Sequence, residues 1–200
     1  MQIKKAVYQY GFALPEQYQP GELPEIAVAG KSNVGKSSFI NMLTNHGSLS
    51  RVGATPGKTR IINAFCINDS FLLMDLPGYG YARVSDAEKD RWGNLIEKYL
   101  RGSRALKCVL LLLDIRHSPT EGDKQMLSWL HYYHIPFCII ATKADKLSRP
   151  QLQNRLLQLS RETGIIKNQI YPVSALQKTG KEAVLERLDA FLTPVPETTD

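Results

Sequence analysis

The chain has 200 residues, 43% of them hydrophobic and 22% charged, which suits one globular domain and excludes a fibrous or largely disordered chain. No apolar run is long enough to span a bilayer and no secretory apolar segment follows Met1, so a cytoplasmic protein without a membrane anchor is expected. The net charge of +6 permits a polyanionic partner, RNA above all, although a solvated surface explains it equally well.

Strand-like and helix-like segments alternate along the chain from residue 25 onward. Apolar β-type segments predict strands at residues 26–29, 61–68, 71–75, 107–114, 137–142 and 170–173. Helical spacing predicts helices at residues 36–44, 86–101, 121–134, 150–163 and 181–192. A tight turn at residues 68–70 joins the second and third strands as a hairpin. The alternation therefore predicts a three-layer α/β fold with a mostly parallel six-stranded sheet, one antiparallel strand and about five flanking helices.

The two ends of the chain lie outside this alternation. Residues 1–24 form a leader with one apolar stretch at residues 6–14, which we expect to pack on the domain edge as an added strand or an irregular arm. Residues 25–192 make up the main domain. Residues 193–200 contain two prolines and two acidic residues and are predicted to be a flexible tail.

The most specific motif is the glycine-rich segment at residues 30–37, which follows an apolar strand and precedes a helix. This context is typical of a phosphate-binding loop, in which backbone N–H groups and the positive helix N-terminus point at phosphate oxygens. We expect Lys36 to reach the β- and γ-phosphates and Ser37 to hold Mg²⁺. The predicted nucleotide contacts here are Gly30, Lys31, Ser32, Asn33, Val34, Gly35, Lys36, Ser37 and Ser38.

A second phosphate-sensing segment ends the third predicted strand. The Asp75 carboxylate can hold Mg²⁺ through water, and the Gly78 N–H can meet a γ-phosphate because glycine allows close approach. The predicted contacts of this segment are Asp75, Leu76, Pro77 and Gly78.

The segment at residues 51–60 is rich in glycine and threonine, basic and without periodicity. Thr59 lies just before the second strand and is predicted to give its hydroxyl to Mg²⁺ when a γ-phosphate is bound, with Thr55 as the competing candidate. The predicted contacts of this segment are Gly57, Lys58, Thr59, Arg60 and Ile61.

Two further strand ends predict recognition of a guanine base. The carboxylate of Asp145 can accept hydrogen bonds from N1–H and the exocyclic amine of guanine, a donor pair that adenine lacks. The stem of Lys143 would lie along the base, and the last strand would present backbone N–H groups to the guanine oxygen. The residues in these two motifs are Thr142, Lys143, Ala144, Asp145, Val173, Ser174 and Ala175.

Taken in order, these motifs resemble the translation-factor-related branch of small GTPases. Strings such as Gly-Lys-Ser-Asn-Val-Gly-Lys-Ser-Ser-Phe-Ile-Asn, Thr-Pro-Gly-Lys-Thr, Asp-Leu-Pro-Gly-Tyr-Gly-Tyr-Ala and Thr-Lys-Ala-Asp resemble the EngB (YsxC/YihA) family of bacterial GTPases, within the TrmE-Era-EngA-YihA-Septin-like group. The similarity covers residues 20–192. It implies a Ras-like P-loop NTPase fold, with residues 25–192 as a GTP-binding (G) domain that takes GTP/GDP and Mg²⁺. It also implies a factor in assembly of the large ribosomal subunit (rRNA and ribosomal proteins), needed for septation and normal cell division. We expect the protein to be a monomer.

The sequence departs from the Ras-type pattern at two positions. Thr142 replaces the usual asparagine, so it keeps a hydroxyl for the loop but loses an amide. Tyr79 replaces the glutamine that orients the attacking water, which predicts slow intrinsic hydrolysis with help from elsewhere. In related GTPases an asparagine at the position of Asn33 helps to hold K⁺ near the transferring phosphate; the alternative is a loop-stabilising role. The predicted catalytic set is Lys36, Thr59, Gly78 and Asn33.

Several residues, and the function itself, have more than one interpretation. Tyr79 and Tyr81 are interpreted as exposed aromatics that stack on bases or pack into a partner. Asp114, Arg116 and His117 either touch a switch loop or the ribosome, or form a plain strand-end turn. The alternative function is a ribosome- or RNA-binding module that uses GTP/GDP only as a conformational sensor. Loop cations that either contact rRNA phosphates or are simply solvated are Arg51, Lys58, Arg60 and Arg83.

Overall fold

A computed structural model describes residues 1–49, 61–80 and 86–193, without the side chains of residues 86–89. The strands are β1 (Ala6–Phe12), β2 (Glu25–Gly30), β3 (Ile62–Ile67), β4 (Phe71–Asp75), β5 (Leu106–Asp114), β6 (Phe137–Thr142) and β7 (Ile170–Pro172). The helices are α1 (Lys36–Thr44), α2 (Asp86–Gly102), α3 (Glu121–Tyr132), α4 (Arg149–Thr163) and α5 (Lys181–Leu192).

The strands form one seven-stranded sheet in the order β1-β3-β4-β2-β5-β6-β7. β3 runs antiparallel to both of its neighbours, and the pairs on the other side of β4 are parallel, as predicted. The six strands predicted from residue 25 onward are all present. The seventh is β1, so the leader supplies an added strand rather than an irregular arm. The limits of a separate domain at residues 25–192 stay a prediction.

Helices cover both faces of the sheet, because alternate residues of its central strands are apolar on both sides. On one face, α2, α3 and α4 pack against Ala27 and Ala29 of β2 and their neighbours. On the other face, α1 and α5 pack against Ile26 and Val28. The architecture is therefore the three-layer α/β fold expected from the sequence.

The predicted helix at residues 121–134 is the one that ends early. α3 stops at Tyr132 because His134 adopts a left-handed backbone, with φ of 52°, and turns the chain toward β6. The helices in the described part of the chain include none that is both long and apolar enough to cross a membrane.

The topology places the predicted motifs together. β2, β4, β5, β6 and β7 are parallel, so the loops that follow them meet at one end of the sheet. The glycine-rich loop follows β2, residues 76–78 follow β4, and residues 143–145 follow β6.

Candidate nucleotide-binding site

The glycine-rich loop has the backbone of an anion cradle. Gly35 adopts a φ of 101° immediately before α1, and a Cβ at Gly30 would lie 2.9 Å from Val34 Cγ1. No side chain of the described residues caps the N-terminus of α1, so its first N–H groups can point at a ligand. Ser37 is exposed on this first turn. The loop can therefore surround a phosphate with backbone donors.

Lys36 and Asp75 form an ion pair across the loop. The Asp75 side chain is 7% exposed and the Lys36 side chain is 14% exposed, so the two charges are largely desolvated. The carboxylate of Asp75 and the hydroxyl of Ser37 are hard oxygen donors, which suit Mg²⁺. No group of three or more His, Cys, Asp or Glu side chains among the described residues could hold a metal alone. This donor set fits Mg²⁺ that completes its coordination with phosphates and water.

Gly78 lies against the glycine-rich loop. A Cβ at Gly78 would lie 3.2 Å from both the backbone nitrogen and Oγ of Ser32, so a larger residue would press on the loop. The Ser32 N–H donates to the carbonyl of Tyr79 at 2.8 Å. The segment after β4 is thereby anchored to the loop through the backbone.

The Tyr79 side chain is buried, which corrects its interpretation as an exposed aromatic. Its ring is 2% exposed and lies 5.6 Å from the ring of Trp92, and its hydroxyl donates to Asp123 at 2.7 Å. Burial and the adjacent Asp123 raise the pKa of the phenol well above its ordinary value. The hydroxyl therefore stays protonated and remains a hydrogen-bond donor. Sequence spacing could not reveal Asp123, because this partner lies on another element. Tyr81 lies outside the described residues.

Thr142 supplies its hydroxyl to the loop, in the role expected from the sequence. The hydroxyl lies 2.8 Å from the carbonyl oxygen of Val34 and 3.2 Å from that of Leu113. Thr142 is buried, so this contact joins the end of β6 to the glycine-rich loop.

Lys143 connects the loop to the end of β5. Its Nζ donates to the carbonyl of Asn33 at 2.8 Å and lies 2.9 Å from Asp114 Oδ2. Arg116 also pairs with Asp114, at 2.7 Å. Burial of Asp114 opposes ionisation, but the hydrogen bonds from Arg116 and Lys143 outweigh it and hold the pKa of Asp114 below its usual value. Asp114 therefore positions Lys143 and is more than a strand-end turn.

Asp145 is oriented by a residue to which the sequence assigned only a backbone role. Ser174 Oγ donates to Asp145 Oδ1 at 2.7 Å, and Lys146 Nζ lies 3.5 Å from Oδ2. The hydrogen bond from Ser174 lowers the pKa of Asp145, which keeps the carboxylate ionised. Ser174 is itself fixed by two backbone hydrogen bonds with Thr179.

A cavity of about 630 Å³ joins the start of α1 to these strand ends. Its lining includes the predicted residues Gly35, Ser38, Thr142, Lys143, Asp145, Val173 and Ala175. Sequence reasoning missed Lys178 and Lys181, which also line it. Lys181 Nζ donates to Asn45 Oδ1 at 2.6 Å. The sequence feature that could have pointed to Lys181 is the glycine before it, Gly180, which adopts a φ of 83° in the turn before α5.

Two further predicted residues lie within the described part of the chain. Ile61 lies immediately before β3, and Asn33 is exposed with φ of 64°. The predicted residues outside the described ranges are Arg51, Thr55, Gly57, Lys58, Thr59, Arg60 and Arg83, together with residues 194–200.

The sheet, the loop before α1 and the Lys36–Asp75 pair together define a P-loop α/β protein. Residues 25–143 match the family described as 50S ribosome-binding GTPase. A probable GTP-binding protein EngB of Citrifermentans bemidjiense is 45% identical over 201 residues, covering 100% of this chain and 94% of the relative. The corresponding protein of Clostridium kluyveri is 48% identical over 196 residues, covering 96% and 98%. The chain belongs to the EngB family, as the sequence motifs predicted.

Solved structures agree on the fold. The crystal structure of a probable GTP-binding protein engB aligns with a TM-score of 0.73 and 23% identity, covering 84% of this chain and 98% of that one. A single-residue variant of Aquifex aeolicus Era bound to GDP.AlF4- aligns with a TM-score of 0.66 and 18% identity, covering 88% and 58%. The Ras-like P-loop fold is thereby confirmed.

Proposed function

We propose that this protein binds GTP and GDP with Mg²⁺, hydrolyses GTP slowly, and acts as a monomeric factor in large ribosomal subunit assembly that normal cell division requires. The observation that carries guanine recognition is the Asp145 carboxylate, held by Ser174 in a cavity that begins at the phosphate loop. The ribosomal part is supported by the description of the family, 50S ribosome-binding GTPase.

In this proposal, residues at the phosphate end of the site exchange their present contacts for contacts with the nucleotide. Lys36 would turn from Asp75 to the β- and γ-phosphates, and the carboxylate of Asp75 would then be available to hold Mg²⁺ through water. Ser37 would give its hydroxyl to the same ion, and Thr59 is the candidate for a further ligand. Bound Mg²⁺ supplies positive charge to the phosphates. Gly78 contacts the γ-phosphate through its N–H, so its distance from the loop responds to the nucleotide state.

Hydrolysis is slow in this proposal because Tyr79 cannot orient water: its hydroxyl is held by Asp123. Asn33 is exposed on the loop, where its side chain is available to help hold K⁺ near the transferring phosphate. The test compares GTP hydrolysis in KCl and NaCl at equal ionic strength. If turnover is faster in KCl than in NaCl, and Asn33→Ala removes this difference, the cation role is supported. Equal rates in both salts contradict it.

Guanine recognition is tested by competition for labelled GDP. GDP and GTP should displace the label, and ATP should not, because adenine offers no donor pair to Asp145. Asp145→Asn should lower the affinity for GDP at least tenfold, since an amide replaces one charged acceptor. The exposed Glu121→Gln, on α3, is the matched control and should leave it unchanged. Comparable displacement by ATP would support a P-loop enzyme that uses ATP instead.

The ribosomal role is tested by co-sedimentation with large-subunit particles in a GTP analogue, GDP or no nucleotide. Binding that depends on the GTP analogue, together with multiple turnovers stimulated by the particles, supports the GTPase factor. The burial of Tyr79 favours a second candidate, a ribosome-binding module in which nucleotide only sets conformation. Nucleotide-dependent binding without multiple turnovers would support that candidate.

A further inference from the structure

A cationic surface lies at the opposite end of the sheet from the nucleotide cavity. β2, β5 and β6 begin at this end, and α2 and α3 end there, as the hydrogen bonds Glu25 N–H to Ala105 O and Val109 N–H to Pro136 O show. We call this surface the basic face. Its residues are Lys98, Arg101, Arg104, Lys107 and Tyr132.

The cations of the basic face are largely unneutralised. Arg101, Arg104 and Lys107 are exposed, and no ion pair joins them to any residue within the described ranges. Within the same ranges, the ion pair of Lys98 is a long one with Glu16, at 3.8 Å. The carboxylate of Glu97, one turn above Arg101 on α2, accepts a hydrogen bond from Tyr133 at 2.6 Å. Such an excess of positive charge fits a polyanion.

An exposed aromatic ring lies at the last residue of α3, one of the helices that end at this surface. Tyr132 is 74% exposed, which is unusual for a tyrosine, and its ring lies 5.0 Å from that of Tyr133 at an interplanar angle of 80°. Because Tyr133 is held by Glu97 on α2, its ring gives Tyr132 a fixed contact, while most of the Tyr132 side chain stays exposed. A supported, exposed ring beside cations is suited to stacking on an unpaired base.

A small cavity of about 290 Å³ adjoins the same surface, between the leader and α2. Phe12, Tyr18 and Tyr99 give it aromatic walls, and its charged lining residues are Lys98, Arg101 and Glu16. Aromatic walls suit a flat base, and two cations against one carboxylate leave the border of the cavity positive, which suits the phosphate of the same nucleotide.

We propose that the basic face binds a single-stranded segment or loop of RNA, with phosphates at the cations and unpaired bases on Tyr132 and in the adjoining cavity. The inference rests on the proposed association with the large ribosomal subunit and names the RNA-binding surface. The basic face and the nucleotide cavity lie at opposite ends of the sheet, so both are occupied at once without competition.

The experiment measures binding to large-subunit particles and to protein-free rRNA extracted from them, across salt. Arg101→Glu/Arg104→Glu should weaken binding to both at least tenfold and reduce the slope of log affinity against log salt by about two. Arg149→Glu/Arg161→Glu, at exposed positions of α4, makes the same charge change and should have little effect. Unchanged affinity for labelled GDP in both variants shows that they are folded.

The aromatic contribution is tested separately at Tyr132. Tyr132→Ala should weaken binding to rRNA about tenfold, while Tyr132→Phe should retain it, since the ring and not the hydroxyl stacks on the base. Equal losses in Phe and Ala would contradict stacking and overturn this part of the proposal.

The outcomes separate this inference from the proposed function. If the wild type binds rRNA and the Arg101/Arg104 variant does not, the inference is supported. This holds even if the wild type does not bind intact particles, a result that would count against the proposed function alone. Equal rRNA binding by wild type and that variant overturns the inference while leaving the proposed function intact. If the variant loses binding to particles but keeps binding to rRNA, the basic face contacts a protein, and the inference is overturned.

Discussion

At the scale of single residues, the base-recognition carboxylate depends on a neighbour remote in sequence. Ser174 is fully buried, and its hydroxyl both donates to Asp145 and accepts the N–H of Gln177 at 3.0 Å. The carboxylate is therefore held in one orientation before a ligand arrives. Preorganisation of this kind lowers the entropic cost of binding.

We expect Ser174→Ala to weaken GDP binding about tenfold at neutral pH, because a hydrogen bond to a charged group is lost. The same bond lowers the pKa of Asp145, so the variant's carboxyl should protonate at higher pH. Its affinity should consequently fall earlier as the pH drops from about 6 to 4, the range of ordinary carboxyl groups. Titration of labelled GDP across pH checks this, with the exposed Ser128→Ala as control. Parallel pH profiles would contradict it.

The Lys36–Asp75 pair is the second residue-scale feature, since both charges are largely buried. Asp75→Asn should lower the free energy of unfolding of the nucleotide-free protein by about 3 kcal/mol, because it leaves a buried ammonium without its partner. Lys36→Met/Asp75→Asn should recover part of the loss. Urea unfolding of the two variants measures this difference. A double variant no more stable than Asp75→Asn would show that other contacts of Asp75 dominate.

At the scale of elements, α2 and α3 enclose the Tyr79 ring. Asp123 accepts hydrogen bonds from the hydroxyls of Tyr79 and Thr120 and from the Thr120 N–H at 2.7 Å, so one carboxylate both caps α3 and holds the segment after β4. Trp92 of α2 covers the ring and donates to the carbonyl of Pro77 at 3.2 Å. Loosening either helix should therefore loosen this segment.

Two glycines give a matched test of this enclosure. A Cβ at Gly122 of α3 would lie 2.8 Å from Tyr79 Cδ2, whereas a Cβ at Gly93 of α2 would lie 3.9 Å from Trp129. Gly93→Ala should stabilise the protein by about 0.5–1 kcal/mol through helix propensity. Gly122→Ala should destabilise it by about 1–3 kcal/mol through overpacking, and hydrogen exchange at residues 76–80 should quicken. Equal stabilisation by both substitutions would mean that the ring moves aside freely.

Elements with strong local signals could be predicted, and those that depend on remote partners could not. β5 and β6 are nearly continuous apolar runs, and the glycine spacing after β2 was enough to place the loop that holds Lys36. The choice of β1 between strand and arm depends on pairing with β3, which is remote from it in sequence. The burial of Tyr79 depends on Asp123, and the role of Ser174 depends on Asp145. These three features concern contacts between separate elements, whereas the early end of α3 follows from the left-handed backbone of His134.

At the scale of the whole molecule, a buried carboxylate ties the leader to the core at the end opposite the nucleotide cavity. Glu25 begins β2 and is fully buried. The hydroxyl of Tyr18 lies 3.0 Å from Glu25 Oε1, and those of Tyr99 and Ser103 lie 2.8 Å from Oε2. No cation of the described residues pairs with this carboxylate, and its hydrogen-bond partners are these three hydroxyl groups.

Glu25→Gln should therefore destabilise the molecule without altering nucleotide binding. The amide turns donors toward hydroxyls that already donate, and the expected cost is about 2 kcal/mol, which corresponds to a fall in melting temperature of roughly 4–8 °C for a chain of this size. Calorimetry of the nucleotide-free protein measures it, with the exposed Glu22→Gln of the leader as control. The affinity for labelled GDP should be unchanged, because Asp145 and the phosphate loop lie at the other end of the sheet. A matching loss of GDP affinity would mean that the two ends of the sheet are coupled, most directly through α2, which packs on Pro77 near one end and on Glu25 at the other.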